Sequence, residues 1–102
     1  MESILLVCNA GMSTSLLVTK MKSYAESQGK NVKIEAVSLD AADAYVGNED
    51  VDVVLFGPQV RFSVPQFQEK HPDLKVDVIS MQDYGMMNGE KVFQQAEKVV
   101  EG

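Results

Sequence analysis

Ile4-Leu5-Leu6-Val7-Cys8-Asn9-Ala10-Gly11-Met12-Ser13-Thr14-Ser15 decides how this chain reads. Four apolar residues run into a cysteine, small residues follow, and an amphipathic pattern opens at Leu16. The unbroken apolar run predicts a strand buried on both faces, as in parallel sheets. The small residues predict a strand-to-helix turn, with Gly11 permitting positive φ or close backbone approach. This layout puts the thiol at the carboxyl end of a strand and beside a helix start. Such a start carries about half a positive charge and a set of unpaired N–H donors, so it attracts anions. It also favours thiolate over thiol. The residues therefore predict a nucleophilic Cys8 in an anion-binding cradle, and a phosphoryl group suits that cradle best.

Working outward, Ser3 to Val7 is the predicted first strand. The helix that follows runs from Ser13 to about Gln28, because Leu17, Met21, Tyr24 and Ala25 recur on one face. Ser13 or Thr14 caps its start and Gly29 ends it. Val32 to Val37 alternates and reads as a second strand towards a sheet edge. Asp40 caps a short helix reaching Val46, which Gly47-Asn48 breaks. Val51 to Phe56 is a third, buried strand, and Gly57-Pro58-Gln59 turns the chain at its carboxyl end. Val60 to Lys70 reads as helical, with Pro65 fitting only a first turn. Val76 to Ile79 is the fourth strand. A longer loop with a short helical turn spans Ser80 to Gly89, and a helix from Glu90 to about Val100 closes the chain.

Strand and helix alternate four times, the pattern of a parallel sheet with helices on both faces. The expected fold class is an α/β three-layer sandwich whose four-stranded sheet has the order 2-1-3-4. Strands 1 and 3 then flank the switch point where ligands bind, and Cys8 lies there. The Gly57-Pro58-Gln59 turn and the Ser80–Gly89 loop are its expected walls.

The 102 residues suffice for one domain, expected over 1–102. Hydrophobic residues make up 45% and charged residues 24%, ordinary for a globular protein. A net charge of −6 argues against nucleic acid and anionic membranes as partners. One cysteine excludes an internal disulfide, a Cys-x-x-Cys redox pair and a thiolate metal cluster, and points to a reducing compartment. No apolar run approaches the ~18 residues of a membrane span, so no membrane insertion and a cytoplasmic location are expected. The one histidine, His71, precedes Pro72 and reads as a surface residue at a helix end. With no ligand cluster, neither metal nor cofactor is expected. Arg61, the only arginine, lies just past the third strand on the site side; it could contact the phosphoryl group or a partner, with a plain surface residue the default. Asp83 and Tyr84 could each line the site, with loop structuring the default for Asp83. Met12, Met86 and Met87 read as an adaptable docking surface or as ordinary packing.

Residues 5–21, residues 54–60 (Val-Leu-Phe-Gly-Pro-Gln-Val) and residues 84–89 (Tyr-Gly-Met-Met-Asn-Gly) together resemble the IIB component of the bacterial phosphoenolpyruvate-dependent sugar phosphotransferase system, in its lactose/cellobiose (chitobiose) branch. The resemblance implies a phosphorelay enzyme. Cys8 would take a phosphoryl group from phosphohistidine on a IIA protein and pass it to a sugar brought in by the membrane IIC permease. Asn9, Ala10, Gly11, Met12, Ser13, Thr14 and Ser15 would form the phosphate-binding loop. The loop also resembles that of low-molecular-weight tyrosine phosphatases, Cys-x5-Arg-Ser/Thr, whose fold is expected here. Thr14 stands where that pattern has arginine, which argues against the alternative of a small cysteine-dependent phosphatase. A guanidinium there would clamp two phosphoryl oxygens and stabilise transition-state charge. Its absence implies slow hydrolysis, as a relay needs. An arsenate-reductase role would need further cysteines. A response receiver would need acidic residues where Cys8-Asn9 and Phe56-Gly57 stand. An inert binding domain predicts that Cys8→Ser is silent.

Overall fold

The computed structural model describes residues 1–9 and 11–102, and of residues 11–13 the backbone alone. Strand β1 (Ser3–Cys8) leads to helix α1 (Gly11–Ser27), then β2 (Lys33–Ser38), α2 (Leu39–Asn48) and β3 (Val53–Phe56). A 3-10 segment (Pro58–Ser63) precedes α3 (Val64–Lys70), which is followed by β4 (Val76–Val78), α4 (Met81–Gly85) and α5 (Gly89–Glu101). The four strands form one sheet in the order β2-β1-β3-β4, and every pairing is parallel. The expected order is therefore observed, with β1 and β3 at the centre and β2 at an edge.

Alternation along β1 divides the core. Ile4, Leu6 and Cys8 face the layer of α1 and α5, packing with Leu17, Met21, Val92, Phe93 and Ala96. Leu5 and Val7 face the other layer, packing with Ala42, Val60 and Phe67. Both faces of β1 are thus buried, which explains its lack of polar alternation. The ring of Phe67 meets Phe56 edge-on at 5.2 Å, pinning α3 to β3.

Helix α1 begins at Gly11, two residues earlier than expected. Thr14 is consequently one turn inside the helix, neither a cap nor part of a loop. The physical reason is burial: Thr14 joins Leu17, Met21 and Ala25 as a buried position at helical spacing. Small residues that read as loop offer no steric bar to this.

Ser38, not Asp40, occupies the N-cap position of α2, in extended conformation and without a side-chain cap bond. Asp40 sits in the first turn, where a carboxylate still complements the helix dipole. Nor does Gly47 break α2, which continues to Asn48. The segment read as one helix from Val60 to Lys70 is split. Pro65 has no N–H to return to the Arg61 carbonyl, and the Val64 N–H bonds that carbonyl instead. The result is a 3-10 turn followed by α3 with Pro65 in its first turn.

Two caps fix the last helices. The Ser80 hydroxyl accepts from the Asp83 N–H at 3.1 Å at the start of α4. The Asn88 carboxamide accepts from the Lys91 N–H at 3.1 Å at the start of α5. Helix α5 then lies hard against α1. A Cβ on Gly89 would stand 2.6 Å from the Lys20 carbonyl carbon and 2.7 Å from the Met21 nitrogen. Only glycine permits that approach.

Candidate functional site around Cys8

Cys8 ends β1 opposite Ser38 of β2 and is 3% exposed. The chain on its other side is held close by backbone bonds. The Gly57 N–H donates to the Val7 carbonyl at 2.8 Å, and the Ile79 N–H to the Phe56 carbonyl at 2.8 Å. These bonds bring the segments after β3 and β4 to the carboxyl end of β1, as the strand order requires.

Gly57 is where they converge. A Cβ built there would stand 3.1 Å from Cys8 Sγ, 3.5 Å from Gln59 Oε1 and 3.5 Å from Tyr84 Cε2. The sulfur, the Gly57-Pro58-Gln59 turn and α4 therefore share one small volume, and the two expected walls are the walls observed. The lack of a side chain at Gly57 leaves the sulfur clear on that side.

Tyr84 lies in the same core cluster as Cys8 and is 8% exposed. The Tyr84 ring edge and Cys8 Sγ border the same point beside Gly57. Burial is the first cause that pushes the Tyr84 pKa above the ordinary value. The Thr14 hydroxyl pulls the other way, and Cys8 pushes upward again. Thr14 is 1% exposed, the one buried polar residue among those described. The position that holds arginine in the phosphatase pattern is here part of the packed core.

The remaining expectations fall as follows. Asn9 is exposed, and Ser15 is exposed in the first turns of α1. Ala10, and the side chains of Gly11, Met12 and Ser13, lie outside the described residues. Arg61 is exposed in the 3-10 segment. Asp83 contributes its backbone N–H to the Ser80 cap. His71 Nε2 lies 2.8 Å from Asp43 Oδ1, and its ring packs at 4.6 Å on Phe67, so it ties α3 to α2. Among the described residues, no group of three or more His, Cys, Asp or Glu could hold a metal. No described helix is long and apolar enough to cross a membrane.

Sequence reasoning missed the cap at Ser80. The signal was present, since Ser80-Met81-Gln82-Asp83 is a capping-box pattern. That cap starts the helix which presents Tyr84. Three large apolar side chains are well exposed: Phe62 is 73% exposed, Met81 71% and Met86 67%. Phe62 follows β3, Met81 opens α4 and Met86 follows it, so all three belong to segments leaving the carboxyl ends of the strands.

A four-stranded parallel sheet in the order β2-β1-β3-β4, with helices on both faces and a thiol at the end of a central strand, defines a class of small α/β proteins. Within that class, the chain belongs to the PTS system, lactose/cellobiose specific IIB subunit family, whose family model matches residues 3–95. It is 46% identical over 101 residues to the PTS system oligo-beta-mannoside-specific EIIB component of Bacillus subtilis (strain 168), covering 94% of this chain and 93% of that one. It is 46% identical over 102 residues to the PTS system galactose-specific EIIB component of Lactococcus lactis subsp. cremoris, covering 95% and 94%. Among solved structures, the cellobiose-specific phosphotransferase IIB component of Borrelia burgdorferi superposes with a TM-score of 0.79 at 42% identity, covering 98% of this chain and 92% of that one.

Proposed function

We propose that this protein is the phosphocarrier between a IIA protein and a sugar, with Cys8 as the residue that carries the phosphoryl group. Membership of the IIB family makes it a component of a sugar phosphotransferase system of the lactose/cellobiose class. The observation that carries the finer reading is the placement of the chain's one thiol at the end of the central strand, beside Gly57 and the Tyr84 ring.

Loading begins with the Cys8 thiolate attacking phosphorus on the IIA phosphohistidine. The S–P bond forms as the P–N bond breaks, and the pair of that bond returns to the imidazole nitrogen. Amides and hydroxyls of the segment Asn9 to Ser15 cradle the phosphoryl oxygens. No basic side chain lies between Cys8 and Lys20, so charge compensation there falls to the backbone and the helix dipole. In the second step a sugar hydroxyl attacks, the S–P bond breaks with its pair going to sulfur, and the hydroxyl proton goes to solvent.

With threonine buried at position 14 in place of a guanidinium, water attack on the phosphocysteine is left without its strongest catalyst. That supports a relay over a phosphatase. The exposed apolar side chains of Phe62, Met81 and Met86 suit the docking of IIA and then of the cytoplasmic face of a IIC permease. The sugar is a cellobiose, lactose or chitobiose type by branch. Relatives equally similar to this chain are named for different sugars, which fits a system whose selection resides in IIC.

The test is intact mass after incubation with phosphoenolpyruvate, the general phosphotransferase proteins and a IIA partner. One added phosphoryl group is expected on the wild type and none on Cys8→Ser. An unmodified wild type across several IIA proteins of this class would defeat the reading. Rapid turnover of p-nitrophenyl phosphate would instead favour the phosphatase.

A further inference from the structure

The sheet has two edges, and they differ. At β2, Lys33 and Glu35 are exposed, and charges of that kind discourage pairing with another chain. At β4, Val76, Asp77 and Val78 are half-buried, and among the described residues no strand lies beyond them. The ladder with β3 shows which backbone groups face outward. The Val54 N–H donates to the Lys75 carbonyl at 2.9 Å and the Ile79 N–H to the Phe56 carbonyl at 2.8 Å. Backbone groups alternate sides along a strand of a parallel ladder. Lys75, Asp77 and Ile79 therefore direct theirs to β3, while Val76 and Val78 direct theirs away from it.

The outward groups of Val78 are already taken. Its N–H donates to Asp77 Oδ1 at 2.8 Å. Gln95 of α5 donates through Nε2 to Asp77 Oδ2 at 2.9 Å and to the Val78 carbonyl at 2.8 Å. A carboxylate and a carbonyl only accept, so the carboxamide nitrogen, with its two hydrogens, is the atom that must face them. Asp77 can reach α5 because its neighbours Val76 and Val78 pack into the opposite layer. Together the two side chains give Val78 one acceptor for its N–H and one donor for its carbonyl. One residue of a neighbouring antiparallel strand would supply the same pair.

We propose that, independently of the relay, Asp77 and Gln95 close the β4 edge of the sheet against a second copy of this chain. With this clasp removed, two β4 edges can meet about a two-fold axis and pair antiparallel, because each presents the same outward N–H and carbonyl. Three residues make a short ladder, so the pairing is weak and follows concentration.

The double substitution Asp77→Ala, Gln95→Ala tests this. Alanine at 95 favours the helix, and circular dichroism checks that the fold survives. Molar mass by light scattering is read over about a hundredfold range of concentration. The wild type is expected to keep the mass of one chain throughout, and the double variant to rise towards two. Amide exchange at Val78, read by NMR, locates the contact. In the dilute double variant that amide is expected to exchange about tenfold faster than in wild type, and to slow again as the dimer forms. Should the double variant not fold, Gln95→Ala alone serves: it frees the carbonyl only, and a smaller rise in mass is expected. A variant that folds and stays a single chain over the whole range overturns the proposal. So does a dimer whose formation leaves Val78 exchange unchanged, because the chains then meet elsewhere. A wild type already paired through this edge overturns it too.

Discussion

At the scale of single residues, the site is built on what Gly57 lacks. A methyl group there would lie 3.1 Å from the sulfur, closer than ordinary carbon–sulfur contact, with Tyr84 behind it at 3.5 Å. Gly57→Ala is expected to displace Sγ or the Tyr84 ring by a few tenths of an ångström. Misplacement on this scale is costly where reacting atoms must align. Loading of Cys8, followed by mass over time, should slow by about tenfold or more, with the circular-dichroism spectrum unchanged. The opening motif placed Cys8 at the end of the first strand, where the structure has it, because an unbroken apolar run followed by small residues marks a strand end. Tyr84 was legible only as a residue of a loop near the site. Its place beside Gly57 and Cys8 depends on a helix of five residues, too short for periodicity to reveal.

At the scale of elements, α1 and α5 meet through Gly89, whose Cα lies against the backbone of Lys20 and Met21. Gly89→Ala should therefore destabilise the protein by about 2 kcal/mol through overpacking, read as a lower urea midpoint, despite alanine's better helix propensity. If stability rises instead, the two helices can separate more freely than this packing implies. Element type was readable almost throughout, since burial on both sheet faces leaves continuous apolar strands and each long helix keeps one apolar face. Boundaries were less so. The first turn of α1 looked like loop because small polar residues carry little propensity signal, and only the burial of Thr14 extends the helix across them. The split at Pro65 turned on one missing N–H, which the sequence did show but did not place.

At the scale of the whole molecule, the start of the central strand is anchored across 50 residues of chain by one carboxylate. Asp52 accepts from the Glu2 N–H at 2.6 Å and from the Ser3 N–H at 3.0 Å, and Ser3 Oγ donates to the Asp50 carbonyl at 2.8 Å. Those two amide bonds are the leading cause that holds the Asp52 pKa below its ordinary value. A carboxylate stabilised in the folded state contributes above its unfolded pKa, and that contribution is lost as pH falls through the folded one. The difference in urea midpoint between wild type and Asp52→Asn is therefore expected to be present at pH 7 and to shrink progressively below about pH 4. A difference that stays constant down to pH 2 would show that the charge is not what Asp52 contributes.

The central position of β1 also bears on how the chain is made. Ribosomes deliver the amino end first, so this apolar strand emerges before either neighbour exists. One flank of β1 is covered once β2 has been synthesised, but the other waits for β3, which ends at Phe56. During that interval Ile4, Leu5, Leu6 and Val7 present an unpaired edge, the feature by which nascent chains stick to one another. A chain released anywhere before β3 keeps that edge permanently, and premature termination or slow decoding in the first half of the message should yield insoluble product, not a shortened soluble one.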